Sequence, residues 1–257
     1  MSTVQYEVKD RIGFIILNRP EKKNALNEEL IGELSEALSK ASDDNSVKII
    51  VLKANGDAFC SGADLGYLQQ LQKFSFEDNI ADSTKLKDLF LKIYTLNKIV
   101  IAQVEGHAIA GGCGLATVCD FVFSVPEAKF GYTEVRIGFI PAIVMIFLIR
   151  KIGDQRARQL LLSGSLVMAE AAFENGLVTK IVDKSAISNE VIAFAQNLIK
   201  SNSSQAMATT KRMLAELQSM PLTESLNYAA RMNAEARGSE DCKRGIASFL
   251  DKKPLEW

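Results

Sequence analysis

Two runs of aliphatic and β-branched residues each empty into a glycine-bearing segment, and this repetition constrains the fold more than any other feature. Val47 to Leu52 (VKIIVL) leads into AFCSGADL, and KIVIAQVEG, ending at Gly106, leads into GHAIAGGCGLATVCD. Continuous apolar runs of this length predict strands buried on both faces, as in a parallel sheet. FVFSV supplies a third strand of the same kind, and the stretches between them carry helical spacing. Strand and helix in alternation predict an α/β core with right-handed crossovers.

The flanking elements follow from local signals. Tyr6 to Asp10 and Ile12 to Leu17, separated by Arg11, predict two strands or one bent hairpin. NRPEKKNALN is turn-like, and Asn27 is placed to cap a helix with Leu30, Leu34 and Leu38 on one face. A helix near Tyr67 and a longer one from about Asp82 to Leu96 are expected, with a loop at FGYTEVRIG and an apolar helix after Pro141. From Asp154 onward the chain reads as helical without a clear sheet pattern. A division follows: residues 1–200 as the α/β core, and residues 201–257 as a helical cap or trimerisation region.

Composition narrows the partners. The chain has 257 residues, 47% of them hydrophobic, which suffices for one large domain. Aromatics are only 7%, so the core must be built from aliphatic side chains. The net charge of −1 leaves no basic excess for nucleic acid or an anionic membrane, and neither is expected as a partner. Cys60, Cys113, Cys119 and Cys242 have neither zinc nor disulfide spacing, so no metal is expected and reduced thiols in a cytoplasmic protein are. The first residues carry no signal-peptide pattern. The longest apolar run, Gly138 to Ile149 between Arg136 and Arg150, is too short to span a bilayer.

The chemistry concentrates in Ser61-Gly62-Ala63-Asp64 and Gly111-Gly112-Cys113-Gly114. Loops at the carboxyl ends of buried strands are where α/β folds place ligands. Each segment would leave backbone N–H groups unpaired at the start of a helix, facing whatever binds there and favouring negative charge. Two such groups converging would hold a carbonyl oxygen that becomes an oxyanion. For either segment alone a second reading stands: the glycines serve only close strand–helix packing. Neither segment is a phosphate loop of the Gly-Lys-Ser/Thr kind or a dinucleotide fingerprint.

Taken together, DAFCSGADL, EGHAIAGGCGLATVCD and KFGYTEVRIGFIPA resemble the three signature segments of the crotonase (enoyl-CoA hydratase/isomerase) superfamily. IILNRPEKKNALN is similar to the loop where coenzyme A enters, and LLLSGSLVMAEAAFENGLVTKIV to the segment that follows the family's core. The resemblance covers nearly the whole chain. It implies a ClpP-like spiral of ββα units with a helical C-terminal region, and assembly into a homotrimer or a hexamer made of two trimers. It implies an acyl-CoA substrate, with coenzyme A as part of that substrate and no separate cofactor. Ala63 and Gly111 match the two backbone donors to the thioester oxygen, and Glu134 matches a catalytic glutamate. Lys23, Ala25, Asp64, Leu65 and Gly66 fall where the family contacts coenzyme A. Phe249 and Lys252, in the last helix, match positions that reach a partner subunit's coenzyme-A site.

Two departures bear on the reaction. The two-glutamate hydratases carry their second glutamate three residues after the oxyanion glycine; here Gly114, a candidate substrate-contacting position, stands there. A single base suffices to move a double bond, since it takes a proton from one carbon and returns it to another. The glycine-rich stretch expected after the proline is replaced by Pro141-Ala142-Ile143-Val144-Met145-Ile146-Phe147, which reads either as an apolar acyl-pocket wall or as a core helix. The preferred reading is hydration of a 2-enoyl-CoA, with a branched, methylglutaconyl-like acyl chain as its finer form. The alternatives are a 3-enoyl/2-enoyl-CoA isomerase using Glu134 alone and a non-catalytic acyl-CoA-binding protein. His107, Tyr132, Cys113 and Cys119 are read as structural, and Trp257 as packed on a neighbouring subunit or disordered.

Overall fold

The computed structural model describes residues 2–257. The chain opens with an antiparallel hairpin, β1 (Val4–Lys9) and β2 (Ile12–Leu17), turned by Asp10 and Arg11, both with positive φ. Helix α1 (Glu28–Asp43) starts at Asn27, whose side chain accepts from the Leu30 N–H at 3.0 Å, as the sequence predicts. Its buried Leu30, Leu34 and Leu38 face the core. Fully burying such a side chain contributes roughly 1.5–3 kcal/mol.

The central region is a repeat: one strand for a large sheet, a short strand for a small sheet, then helix. The first turn is β3 (Ile49–Ala54), β4 (Ala58–Cys60) and the helices α2 (Leu65–Leu71) and α3 (Phe76–Thr95). The second is β5 (Ile99–Val104), β6 (His107–Ile109) and α4 (Gly111–Val118). The third is β7 (Phe121–Ser124), β8 (Lys129–Gly131), a 3-10 turn over Glu134–Ile137, and α5 (Ala142–Ile152). This is the expected spiral of ββα units. Every residue of β5 is buried, as are Ile49 to Leu52 of β3, which is why these runs contain no polar alternation.

The chain continues through α6 (Asp154–Ser163), β9 (Val167–Met168), α7 (Ala169–Glu174), β10 (Lys180–Ile181) and α8 (Ile187–Ser201). It ends with α9 (Ser204–Leu217), α10 (Leu222–Gly238) and α11 (Glu240–Asp251). The large sheet has the order β1-β2-β3-β5-β7-β10 and is parallel except at the hairpin; the small one has the order β4-β6-β8-β9, with only β9 antiparallel.

Four expectations need correction. The region after Asp154 is not free of strand: β9 and β10 close the edges of the two sheets, each too short to show a period of two. The FGYTEVRIG stretch contains β8 and the 3-10 turn rather than loop alone. Helix α3 begins at Phe76, not near Asp82, because Ser75 caps it by accepting from the Asp78 N–H at 3.1 Å. Trp257 packs on its own chain: its N–H donates to the Lys200 carbonyl at 3.2 Å, and the Arg244 guanidinium lies 4.5 Å from its ring centre.

Candidate active site

The first candidate donor, Ala63, owes its orientation to a short parallel ladder. The Ser61 N–H donates to the Lys23 carbonyl at 3.0 Å, Leu26 N–H to Gly62 O at 2.7 Å, and Asp64 N–H to Leu26 O at 2.9 Å. Successive amides along an extended segment face opposite ways. With the Asp64 amide turned toward Leu26, that of Ala63 faces away from the 23–26 loop, outside the ladder. Gly62 just before it has φ +90° and lies against the second segment: a Cβ there would sit 2.7 Å from Ala110 Cβ and 3.4 Å from Gly111 N. No L side chain fits that backbone or that gap.

The second candidate donor, Gly111, is the first residue of α4, so its N–H has no intrahelical acceptor. Ala110 before it holds φ +52° and ψ −126°, a conformation rare for a residue with a Cβ. Its own N–H is anchored to the Gly131 carbonyl at 2.7 Å, tying β8 to the start of α4. Ala63 and Gly111 are both half-buried, hence reachable. The two glycine segments, inferred separately from the sequence, therefore pack directly on each other with a free amide on each.

Glu134 follows β8 at the start of the 3-10 turn. Two residues earlier, Tyr132 is fully buried and its hydroxyl shares a 2.7 Å hydrogen bond with Thr117 Oγ1. Thr117 in turn donates to the Cys113 carbonyl at 2.8 Å. Tyr132 thus pins the Glu134 segment to α4, in keeping with its structural reading. The Glu134 carboxylate is partly buried and its Oε2 has no hydrogen-bond partner. Burial raises its pKa above the ordinary carboxylate value, opposed only by a hydrogen bond from its own backbone. Its charge adds a small contribution to the raised pKa of the Cys113 thiol.

Gly114 is not an open space. A Cβ there would lie 2.4 Å from Val144 Cγ1 and 3.0 Å from Phe90 Cε2. Val144, on α5, occupies the volume into which a side chain at 114 would grow. Val144, Phe147 and Leu148 are buried, and Phe147 packs edge-on to Phe90 with ring centres 6.4 Å apart, so these residues follow the core-helix reading; Ala142 and Ile146 are exposed.

The remaining candidates divide. Lys23 is exposed at a left-handed position, φ +52°, and Ala25 is buried beside it. Leu65 and Gly66 are exposed at the start of α2. The Asp64 carboxylate is already engaged: Oδ1 accepts from the Gly66 and Tyr67 N–H groups, and Oδ2 pairs with Arg19 at 2.8 Å. Phe249, on α11, and Lys252, its left-handed C-cap, lie at the far C-terminal end, and α11 has no fully buried residue. His107 accepts a hydrogen bond from the Lys129 N–H at 3.3 Å, a structural contact. Cys60 and Cys113 flank the site, but burial pushes each thiol up to about 12. Among the described residues no group of side chains could hold a metal ion. Sequence reasoning missed Arg19, which reads as an ordinary turn charge.

Comparison with known proteins agrees with this geometry. The Enoyl-CoA hydratase/isomerase family model matches residues 7–257, and the chain belongs to that family. A Thermus thermophilus protein, provisionally described as an enoyl-CoA hydratase, is 39% identical over 98% of both chains. The crotonyl-CoA hydratase of Syntrophomonas wolfei is 31% identical over 96% of this chain and 94% of its own. The enoyl-CoA hydratase of Mycobacterium smegmatis superposes with a TM-score of 0.93 at 28% identity, covering 100% of this chain and 99% of its own.

Proposed function

We propose that this protein catalyses reversible addition of water to a 2-enoyl-CoA thioester. The observation that carries this is the packing of the Gly62-Ala63 and Ala110-Gly111 segments on each other, with Ala110 tied to β8, the strand that leads into Glu134, whose buried Oε2 has no hydrogen-bond partner. The Ala63 and Gly111 amides hold the thioester oxygen and favour the enolate. The Glu134 carboxylate takes a proton from water as the oxygen adds to carbon 3 and the electron pair moves to the thioester oxygen. The same carboxyl then returns that proton to carbon 2 as the enolate collapses, so water is added in full. Lys23 approaches the nucleotide phosphates, and the backbone from Ala63 to Gly66, with Ala25, lies along the pantetheine arm. The names of the relatives support hydration, and we carry a branched acyl group of the methylglutaconyl kind as the finer reading, which the substrate comparison below tests.

Isomerisation of a 3-enoyl-CoA is the second reading, favoured by Val144 filling the volume beside Gly114. Crotonyl-CoA and 3-methylglutaconyl-CoA, followed by loss of the conjugated thioester absorbance, separate the two. Loss with either supports hydration, and loss with the second alone supports the branched acyl group. Turnover of a 3-enoyl-CoA with no loss from either would replace hydration by isomerisation, and binding without any turnover would leave only an acyl-CoA-binding protein. We further propose that residues 201–257 mediate assembly into trimers or hexamers and bring Phe249 and Lys252 to a neighbouring subunit's coenzyme-A site.

A further inference from the structure

Arg19 lies between β2 and the first 3-10 turn, and both it and Asp64 are largely shielded, with side-chain exposures of 16% and 17%. A single guanidinium nitrogen, Nη1, engages two groups: it donates to the Ala25 carbonyl at 3.1 Å and forms an ion pair with Asp64 Oδ2 at 2.8 Å. The other oxygen of Asp64 caps α2 through the Gly66 N–H at 2.9 Å and the Tyr67 N–H at 3.3 Å. Arg19 is itself held, since its N–H donates to Asn24 Oδ1 at 2.8 Å. Asn24 is fully buried and donates to the Asn55 and Ala58 carbonyls.

These contacts bracket the Ala63 donor. On one side is the 23–26 loop, on the other the start of α2, and Arg19 with Asp64 is the one side-chain pair that bridges them. We propose that Arg19 is a positioning residue: through Asp64 and the Ala25 carbonyl it fixes the direction of the Ala63 N–H, and so sets how strongly the thioester carbonyl is polarised. This rests on the oxyanion reading of Ala63 and Gly111. An exposed ion pair contributes little, but a shielded pair sharing its atoms with a helix cap and a loop carbonyl restricts geometry, and small misplacements at a reacting centre are costly.

The test uses the intact protein and a saturated acyl-CoA carrying carbon-13 at the thioester carbonyl. Infrared difference spectra of the bound carbonyl are recorded for wild type, Arg19→Gln, Asp64→Asn and the double variant, alongside kcat, KM and thermal unfolding. Asparagine keeps the cap acceptor but not the charge. The expected result is a lowered carbonyl frequency in wild type that moves back toward the free value in both single variants. With it kcat falls by about 10- to 100-fold while KM changes far less. The double variant falls no further than the worse single one. Should Arg19→Gln fail to fold, Asp64→Asn and Arg19→Lys carry the comparison. Folded single variants with the wild-type carbonyl frequency and kcat, or a loss confined to KM, would overturn the positioning role. No carbonyl shift in wild type would remove the oxyanion reading itself, and the role of Arg19 with it.

Discussion

Glu134 has given up much of its water without gaining a hydrogen-bond donor at Oε2. The folded chain therefore holds the Glu134 proton to a higher pH than the unfolded chain does. Its contribution to stability is present below the ordinary carboxylate pKa and is lost as pH rises through the raised folded value. Glu134→Gln removes the ionisation. We expect the variant to unfold at a higher temperature than wild type near pH 7.5, with the difference shrinking toward pH 4, and turnover to fall by about 10²–10⁴-fold. Scanning calorimetry at the two pH values with a parallel rate assay checks both; an equal thermal gain at each pH would trace it to packing instead of charge. The Asn27 cap was legible because it sits inside a local pattern, and Glu134 and the two glycine segments stand out as candidates for the same reason. Arg19 was not, since its partner Asp64 is distant in sequence and only the fold joins them.

At the level of elements, the junction of α4 and α5 decides what position 114 can hold. Replacing a helical glycine by alanine ordinarily stabilises by about 1 kcal/mol. Here the new Cβ would meet Val144 Cγ1 at 2.4 Å, so we expect Gly114→Ala to destabilise by about 1–3 kcal/mol. Val144→Ala removes that methyl, and the pair should recover part of the loss. Urea unfolding of the two single variants and the double one measures it, and a more stable Gly114→Ala would refute the clash. The long strands β2, β3 and β5 were readable as apolar runs. The three-residue strands β4, β6 and β8 were not, although they lead into Ala63, Gly111 and Glu134, because three residues cannot display a period. The start of α3 was signalled by Ser75 and Asp78, but the exposed Phe76 and Ile80 that follow blur its amphipathic face.

On the scale of the whole molecule, the sequence predicts a spiral of ββα units only through resemblance to a family. Strand order depends on which distant runs pair, and no single run states its neighbour. The C-terminal helices show the limit in another way. α11 has no fully buried residue, and Phe249 and Leu250 on it are 84% and 73% exposed, with Leu222 and Leu226 exposed on α10. Apolar surface of this kind marks interfaces. We expect light scattering of the intact protein to give the mass of three or six chains and Phe249→Asp to shift it toward smaller species. A wild-type mass of one chain would refute assembly. Among the described residues no helix is long and apolar enough to cross a membrane.

An unsaturated thioester is also an electrophile: a thiolate that reached its carbon 3 would add to it and inactivate the protein with its own substrate. Cys60 and Cys113 lie beside the two candidate donor segments, yet burial pushes each thiol up to about 12. Each is therefore held as the thiol at neutral pH, whereas the thiolate is the reactive form. The same desolvation that packs these sulfurs under the site keeps it from alkylating itself.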